Sequence, residues 1–322
     1  MTNRWRSKTL WALSAVVVLA AAACGSSDNV ATEQETDTST TTTAPAVDTT
    51  TTTVAAAPDG AGDGGPSFGS FHAELAAELA GSGETGPFFM INLIDFRDQA
   101  EYADGRETDL TGRQANDLYG ETGVQKLFEG GMRPAFSGNV APEQASPPDP
   151  AWEQVAIARY PSYTDFFALT SNPAFQEGAE HKDAGVETST VIATDRVVDP
   201  PPAAELPAGD APVVLFELYS HAGTGTTDRP DSLTAYLDGI EPLATANGGV
   251  AIGTYEVVGT LIGDGREWDE AHLWYLPDQA SLDALLEEPE LAELSSARDE
   301  DLEDLYELAL DGITIDPMGR EP

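Results

Sequence analysis

The sequence predicts an α+β fold made of two tandem repeats, each with the element order βαββαβ, that follow an export signal and a low-complexity segment. Residues 152–183 align without a gap to residues 268–299 at a constant offset of 116. Both segments lie within the same succession of apolar strands and amphipathic helices. The predicted units are a signal peptide (1–23), a stalk (24–66), a first repeat (67–198), a linker (199–211) and a second repeat (212–317).

The N-terminus has the pattern of a lipoprotein signal peptide. Arg4, Arg6 and Lys8 precede an apolar run, 10–23, that is too short for a membrane-spanning helix. The run ends in small residues before Cys24 and resembles a lipobox, although alanine stands where leucine is usual, three residues before the cysteine. The alternative is an ordinary secretory signal with a chance cysteine. We expect lipid on Cys24 to hold the protein at the outer face of the cytoplasmic membrane, in the cell envelope.

Composition limits the classes of partner and of stabilising bond. The chain has 15 basic and 56 acidic residues, a net charge of −41, which excludes nucleic acid as a partner because phosphate backbones are repelled. Cys24 is the single cysteine, so no disulfide forms within the chain. The folded part must therefore be stabilised by its core.

Threonine dominates the segment before the folded part. Twelve threonines lie among residues 32–53, and this composition cannot bury a core. As a flexible coil the stalk would hold the folded part roughly 35 Å from the anchor. It is a plain spacer or a site of O-glycosylation.

The first repeat opens with a short helix and a core strand. Phe71, Leu75 and Leu79 lie four residues apart, which predicts one face of a helix that ends between Gly81 and Gly83. Residues 88–94 are apolar at nearly every position, which predicts a strand covered on both faces. A proline-rich connection, 141–150, then joins the middle strands of this repeat.

The second repeat is predicted from the same signals. The predicted strands are 213–219, 250–262, 267–276 and 313–316, and the predicted helices are 233–246 and 279–310, the latter broken at Pro289. Seven pairs mark the same strand, capped helix, proline break and charged helix end in both repeats. They are Trp152/Trp268, Pro161/Pro277, Ser162/Asp278, Leu169/Leu285, Pro173/Pro289, Lys182/Arg298 and Asp183/Asp299.

The βαββαβ order is that of the ferredoxin-like unit, and the first repeat resembles a bacterial domain-of-unknown-function group of the dimeric α/β-barrel superfamily. The resemblance covers 86–194. It is carried by residues 90–97, Tyr102, Gly105-Arg106, 110–112, Tyr119-Gly120, Gly130-Gly131, Trp152, Val155-Ala156, 160–162, His181-Lys182 and Ala184-Gly185. It implies that two units pair sheet to sheet around a barrel, here within one chain, as a monomer with an internal pseudo-dimer.

Candidate site residues follow from polar positions in apolar strands. Alternation places Asn92 and Glu217 on equivalent faces, with His221 beyond Glu217, and predicts that both face the space between the two sheets. His272 lies in a later predicted strand. Burial of Asn92 or Glu217 requires a partner, either a structural hydrogen bond or a ligand. The four histidines have no metal-ligand spacing, so no metal site is predicted.

Three functions are compatible with these features. The first is a surface-displayed module that binds a small, partly apolar molecule through Asn92 and Glu217. The second, which the resemblance allows, is a cofactor-independent monooxygenase or isomerase with Glu217, His221 or His272 as the proton-transfer group. The third is a purely structural envelope protein. No nucleophile constellation or phosphate loop is present, which favours binding, and the sequence identifies neither ligand nor cofactor.

Overall fold

The computed structural model describes residues 69–141, 150–222 and 229–315. The signal peptide, Cys24 and the stalk lie outside the described residues, so the predictions about them stay predictions. The strands are β1 (Ser70–Phe71), β2 (Phe88–Phe96), β3 (Arg133–Val140), β4 (Gln154–Tyr160), β5 (Val186–Val198), β6 (Val213–His221), β7 (Val250–Gly263), β8 (Glu270–Leu276) and β9 (Leu302–Ile315). The helices are α1 (Ala73–Gly81), α2 (Gly112–Glu129), α3 (Tyr163–Thr170), α4 (Pro173–Gly185), α5 (Asp231–Ala246), α6 (Gln279–Leu286) and α7 (Pro289–Asp299).

Eight strands close into an antiparallel barrel in a mixed α/β fold. Their order is β7-β5-β2-β4-β3-β9-β6-β8, and β8 pairs with β7 to complete the ring. The short β1 pairs with the last two residues of β7. Two pairings, β5 with β7 and β3 with β9, join strands from the two halves of the chain. The predicted barrel is therefore present.

The barrel interior is filled by apolar side chains from all eight strands. Phe89, Ile91 and Leu93 of β2 belong to the same buried cluster as Val214 and Phe216 of β6. The alternate residues of these strands face outward, where a helix layer covers them. Phe88 and Met90 pack with residues of α1, α2 and α3, whereas Val213 and Leu215 pack with residues of α5, α6 and α7.

The capped helices form where the repeated pattern places them. Ser162 accepts a hydrogen bond from the backbone N–H of Asp165 at the start of α3, and Asp278 accepts one from Ser281 at the start of α6. Pro173 and Pro289 are the first residues of α4 and α7. Each proline suits a first helical turn because that position needs no backbone N–H donor.

One predicted helix is wrong. Residues 302–310 were expected to continue the last helix, but they belong to β9. Leucine, glutamate and alanine favour helix in this segment, yet pairing with β6 and β3 overrides that propensity. Tyr306, Leu308 and Leu310 then enter the barrel interior at the spacing of two that a strand requires.

Candidate functional site

Polar side chains cluster on the outer face of the second half of the barrel, between the sheet and its helices. Glu217, Tyr219 and His221 alternate along β6, on the face opposite Phe216. In the pairing with β8, Glu217 lies opposite His272 and Tyr219 lies opposite Glu270. Directly paired residues share a face, so the register brings these side chains together.

Glu217 is the centre of a fully buried hydrogen-bond network. Its Oε1 accepts from the Tyr236 hydroxyl at 2.5 Å and from Nη1 of Arg298 at 3.1 Å. Its Oε2 accepts from the indole N–H of Trp274 at 2.8 Å. Arg298 also donates to Glu307 at 3.2 Å and lies over the Tyr236 ring at 4.2 Å. Helices α5 and α7 are thereby fixed to the sheet by one carboxylate.

Glu270 is the centre of a second cluster, beside the first. Its Oε1 contacts Nε2 of His221 at 3.0 Å and Nε of Arg229 at 2.8 Å. Its Oε2 contacts Nε2 of His272 at 2.8 Å and Nη2 of Arg229 at 2.5 Å. One buried carboxylate thus joins two histidines and a bidentate arginine.

This arrangement lowers the pKa of Glu270 to about 2. Burial by itself would raise the pKa, but hydrogen bonds from His272 and Arg229, together with their charges, more than offset that effect. Glu270 is therefore ionised at neutral pH, and it can hold both imidazole rings in fixed orientations.

Two buried polar atoms in this region make no hydrogen bond within the described residues. They are the hydroxyl of Tyr219 and Nδ1 of His221. Tyr219 is fully buried and its ring centroid lies 5.8 Å from that of His272. Burial, with the charge of Glu217, raises the pKa of Tyr219 well above its ordinary value, so the hydroxyl keeps its proton. Nδ1 of His221 lies 3.7 Å from Oδ2 of Asp269, which is beyond hydrogen-bond distance. In the neutral tautomer whose Nε2 donates to Glu270, Nδ1 is an acceptor.

The structure brings together three of the four predicted site residues. Glu217, His221 and His272 lie in adjoining networks, whereas Asn92 lies in the first half, on the outer face of β2. Its Nδ2 donates to the backbone oxygen of Met90 at 3.2 Å and faces that of Ala156 at 3.5 Å. Whether any of these residues binds a ligand stays a prediction.

The predicted direction of Asn92 and Glu217 is wrong, because both point toward the helix layer and not into the barrel. Every residue of β6 is buried, and β2 is buried at most positions. Alternation therefore could not distinguish the inner face from the outer one. A usable signal was Arg298, a charged residue that follows Leu291 by seven positions and Leu294 by four, on an apolar helix face. Glu270, which alternation places beside His272, was missed.

A surface hollow of about 540 Å³ borders the Glu270 cluster through Asp269. Oδ2 of Asp269 accepts from the backbone N–H of His221 at 2.7 Å. The hollow is also lined by Phe71 and Leu75 from the N-terminal elements and by Arg266. Among the described residues, no group of three or more histidine, cysteine, aspartate or glutamate side chains is placed to hold a metal ion.

No protein-family model and no curated protein matches the sequence. Among solved structures, the RPA0582 protein of Rhodopseudomonas palustris, described as a protein of unknown function, is 30% identical. The match covers 42% of this chain and 95% of that one, with a TM-score of 0.35. Over the matched part, this chain belongs to the same family as the RPA0582 protein.

Two other solved structures are similar at low identity. A provisionally assigned monooxygenase of Fusobacterium nucleatum is 12% identical over 72% of this chain and 95% of its own, with a TM-score of 0.43. A mutant chlorite dismutase of Candidatus Nitrospira defluvii is 11% identical over 75% and 95%, with a TM-score of 0.43. No helix in the described ranges is long and apolar enough to cross a membrane.

Proposed function

We propose that this protein is an exported lipoprotein that displays a barrel of two ferredoxin-like halves and binds a small molecule between the sheet and helices of its second half. The halves are supported by strand order. Residues 88–198 contribute β5-β2-β4-β3, and residues 213–315 contribute β9-β6-β8-β7. In both, the first strand of the half lies between its third and fourth, as the ferredoxin-like unit requires.

The observation that carries the binding proposal is a pair of buried atoms that make no hydrogen bond within the described residues, the Tyr219 hydroxyl and His221 Nδ1. A buried polar group without a hydrogen bond costs about 1–3 kcal/mol. A ligand that accepts from Tyr219 and donates to His221 would offset that cost. The surrounding Trp274 and Leu215 are apolar or aromatic, so the ligand is a molecule with an apolar body and a hydroxyl or amine at one end.

The test is a thermal-shift screen of residues 67–317 against metabolites, haem and quinones, followed by titration of each hit. We expect Tyr219→Phe and His221→Ala each to weaken binding of a hit about tenfold or more, because each removes about 1.4 kcal/mol or more of hydrogen bonding. Ser296→Ala, at an exposed position of α7, is the control. Unchanged affinity in both site variants would place the ligand elsewhere.

The anchor proposal rests on the basic start, the short apolar run and the single cysteine. Wild type and Cys24→Ala are expressed in parallel and their membrane fractions compared. We expect the wild type in the membrane fraction and the variant released after cleavage by the general signal peptidase, or retained as an uncleaved precursor of higher mass. Equal mass and equal membrane association of the two proteins would refute lipidation.

A second candidate function is an isomerase or cofactor-independent monooxygenase. The observation that favours it is the carboxylate–imidazole pair of Glu270 and His221, in which the far nitrogen, Nδ1, makes no hydrogen bond within the described residues and lies 3.7 Å from Oδ2 of Asp269. Each ligand found in the screen is incubated with the protein in deuterated water. Exchange of a carbon-bound hydrogen of the ligand with wild type, and not with His221→Ala, would establish proton transfer. Binding without exchange in the wild type assigns the site to binding alone.

A further inference from the structure

Lys182 in the first half occupies the position that Arg298 occupies in the second. Both follow the initial proline of their helix, α4 or α7, by nine residues. Phe175, Gly178 and Lys182 lie at helical spacing on the more buried side of α4, as Leu291, Leu294 and Arg298 do on α7. The two cations are therefore directed toward equivalent places on the outer face of the barrel.

The cation of the second half bonds three carboxylates, whereas the cation of the first half bonds none among the described residues. Arg298 donates to Glu217, Glu307 and Asp299. Glu217 and Glu307 are paired across β6 and β9, and the equivalent pair across β2 and β5 is Asn92 and Val191. Neither residue carries a charge.

Lys182 makes no hydrogen bond or salt bridge in the part of the chain that the structure describes. The charge of Asp183 acts on it, but burial has the larger effect and lowers the pKa of Lys182. Lys182 is half-buried, and an anionic partner would give its ammonium the charge-assisted hydrogen bond that no described residue supplies.

The same face carries a buried hydroxyl without a partner and smaller side chains than the second half. Ser189 is 1% exposed and its Oγ makes no hydrogen bond within the described residues. It is paired with Ile94, two residues from Asn92, and so shares the outer face. Ala156 and Ala158 stand at the positions of His272 and Trp274. An ammonium and a hydroxyl donor therefore flank a face with reduced side-chain volume.

We propose that the first half binds the carboxylate group of a small organic acid between the outer face of the barrel and α4, with Lys182 as the cation and Ser189 as a hydrogen-bond donor. The ligand supplies the negative charge that Glu217 supplies in the second half. This site is separate from the Tyr219 and His221 site, so either can fail without the other.

The first test measures acetate binding to the full chain by thermal shift, against sodium chloride of equal ionic strength. We expect a saturable rise in Tm for the wild type, retained in Lys182→Arg and lost in Lys182→Met. Asn92→Glu places a carboxylate in the chain itself and is expected to abolish the response to acetate. An equal acetate response in wild type and Lys182→Met would overturn the proposal.

A second test keeps the wild-type protein and follows lysine chemistry. After residue 66 the chain has two lysines, Lys126 and Lys182, so Lys126 is an internal reference for reductive methylation read by mass spectrometry. We expect acetate to slow methylation of Lys182 severalfold relative to Lys126. An unchanged ratio of the two rates at saturating acetate would contradict binding at Lys182.

Discussion

At the scale of single residues, Tyr219 and Tyr236 are a matched pair of buried tyrosines. The Tyr236 hydroxyl donates to Glu217 at 2.5 Å, whereas the Tyr219 hydroxyl makes no hydrogen bond within the described residues. We expect Tyr236→Phe to lower the free energy of unfolding by about 1.5–3 kcal/mol, because it removes a hydrogen bond to a buried charge. Tyr219→Phe should be neutral or stabilising. Urea denaturation of both variants checks this, and equal losses would contradict the assignment.

The ionisation of Glu270 gives a pH dependence with a definite sign. Its pKa is lowered from 4.5 to about 2, so the folded state holds the carboxylate ionised more strongly than the unfolded state does. This contribution is complete above pH 4.5 and is lost as the pH falls toward 2. At about 1.4 kcal/mol per pKa unit it amounts to about 3 kcal/mol.

The measurement for Glu270 is the difference in unfolding free energy between wild type and Glu270→Gln across pH 2–7, which cancels the effect of the other carboxylates. The wild type should lose its advantage between pH 4.5 and pH 2. Glu187→Gln, at a carboxylate with a half-exposed side chain, is the control and should show a smaller change. A difference for Glu270→Gln that does not vary with pH would show that Glu270 is not held ionised.

At the scale of secondary structure elements, the equivalent N-caps of α3 and α6 define a comparison between the halves. Ser162→Ala and Asp278→Ala each remove a hydrogen bond to a backbone N–H in the first turn and should cost about 1 kcal/mol. Ser296→Ala, at an exposed position inside α7, is the control and should change stability by less than about 0.5 kcal/mol. Caps that cost no more than Ser296→Ala would indicate that tertiary packing alone fixes these helix starts.

At the scale of the whole molecule, the barrel closes within one chain. Pairings of β5 with β7 and of β3 with β9 connect the halves, and the linker keeps them at high effective concentration. We therefore expect residues 67–317 to be a monomer by light scattering. If the chain is cleaved within the linker, residues 199–211, the two pieces should purify together. A stable homodimer of the intact piece would contradict closure within the chain.

The sequence by itself determined the succession of elements, because hydrophobic spacing, caps and prolines act over a few residues. It placed Ser162, Asp278, Pro173 and Pro289 at helix starts. It also singled out Glu217 and His272 as polar positions in apolar strands and His221 as a residue just beyond one. Tertiary structure decided what lies across from each of them. Because β2 and β6 are covered on both faces, alternation could not show that Glu217 points at Arg298 and Tyr236 and not into the barrel.

Residues 302–310 show the same division between local and long-range information. Their local composition favours a helix. Pairing with β6 and β3, which are far away in sequence, instead makes them part of the strand that helps to close the barrel. The meeting of His221, His272 and Arg229 at Glu270 likewise depends on the register between β6 and β8. That register is set by packing over the whole barrel, and no short stretch of sequence specifies it.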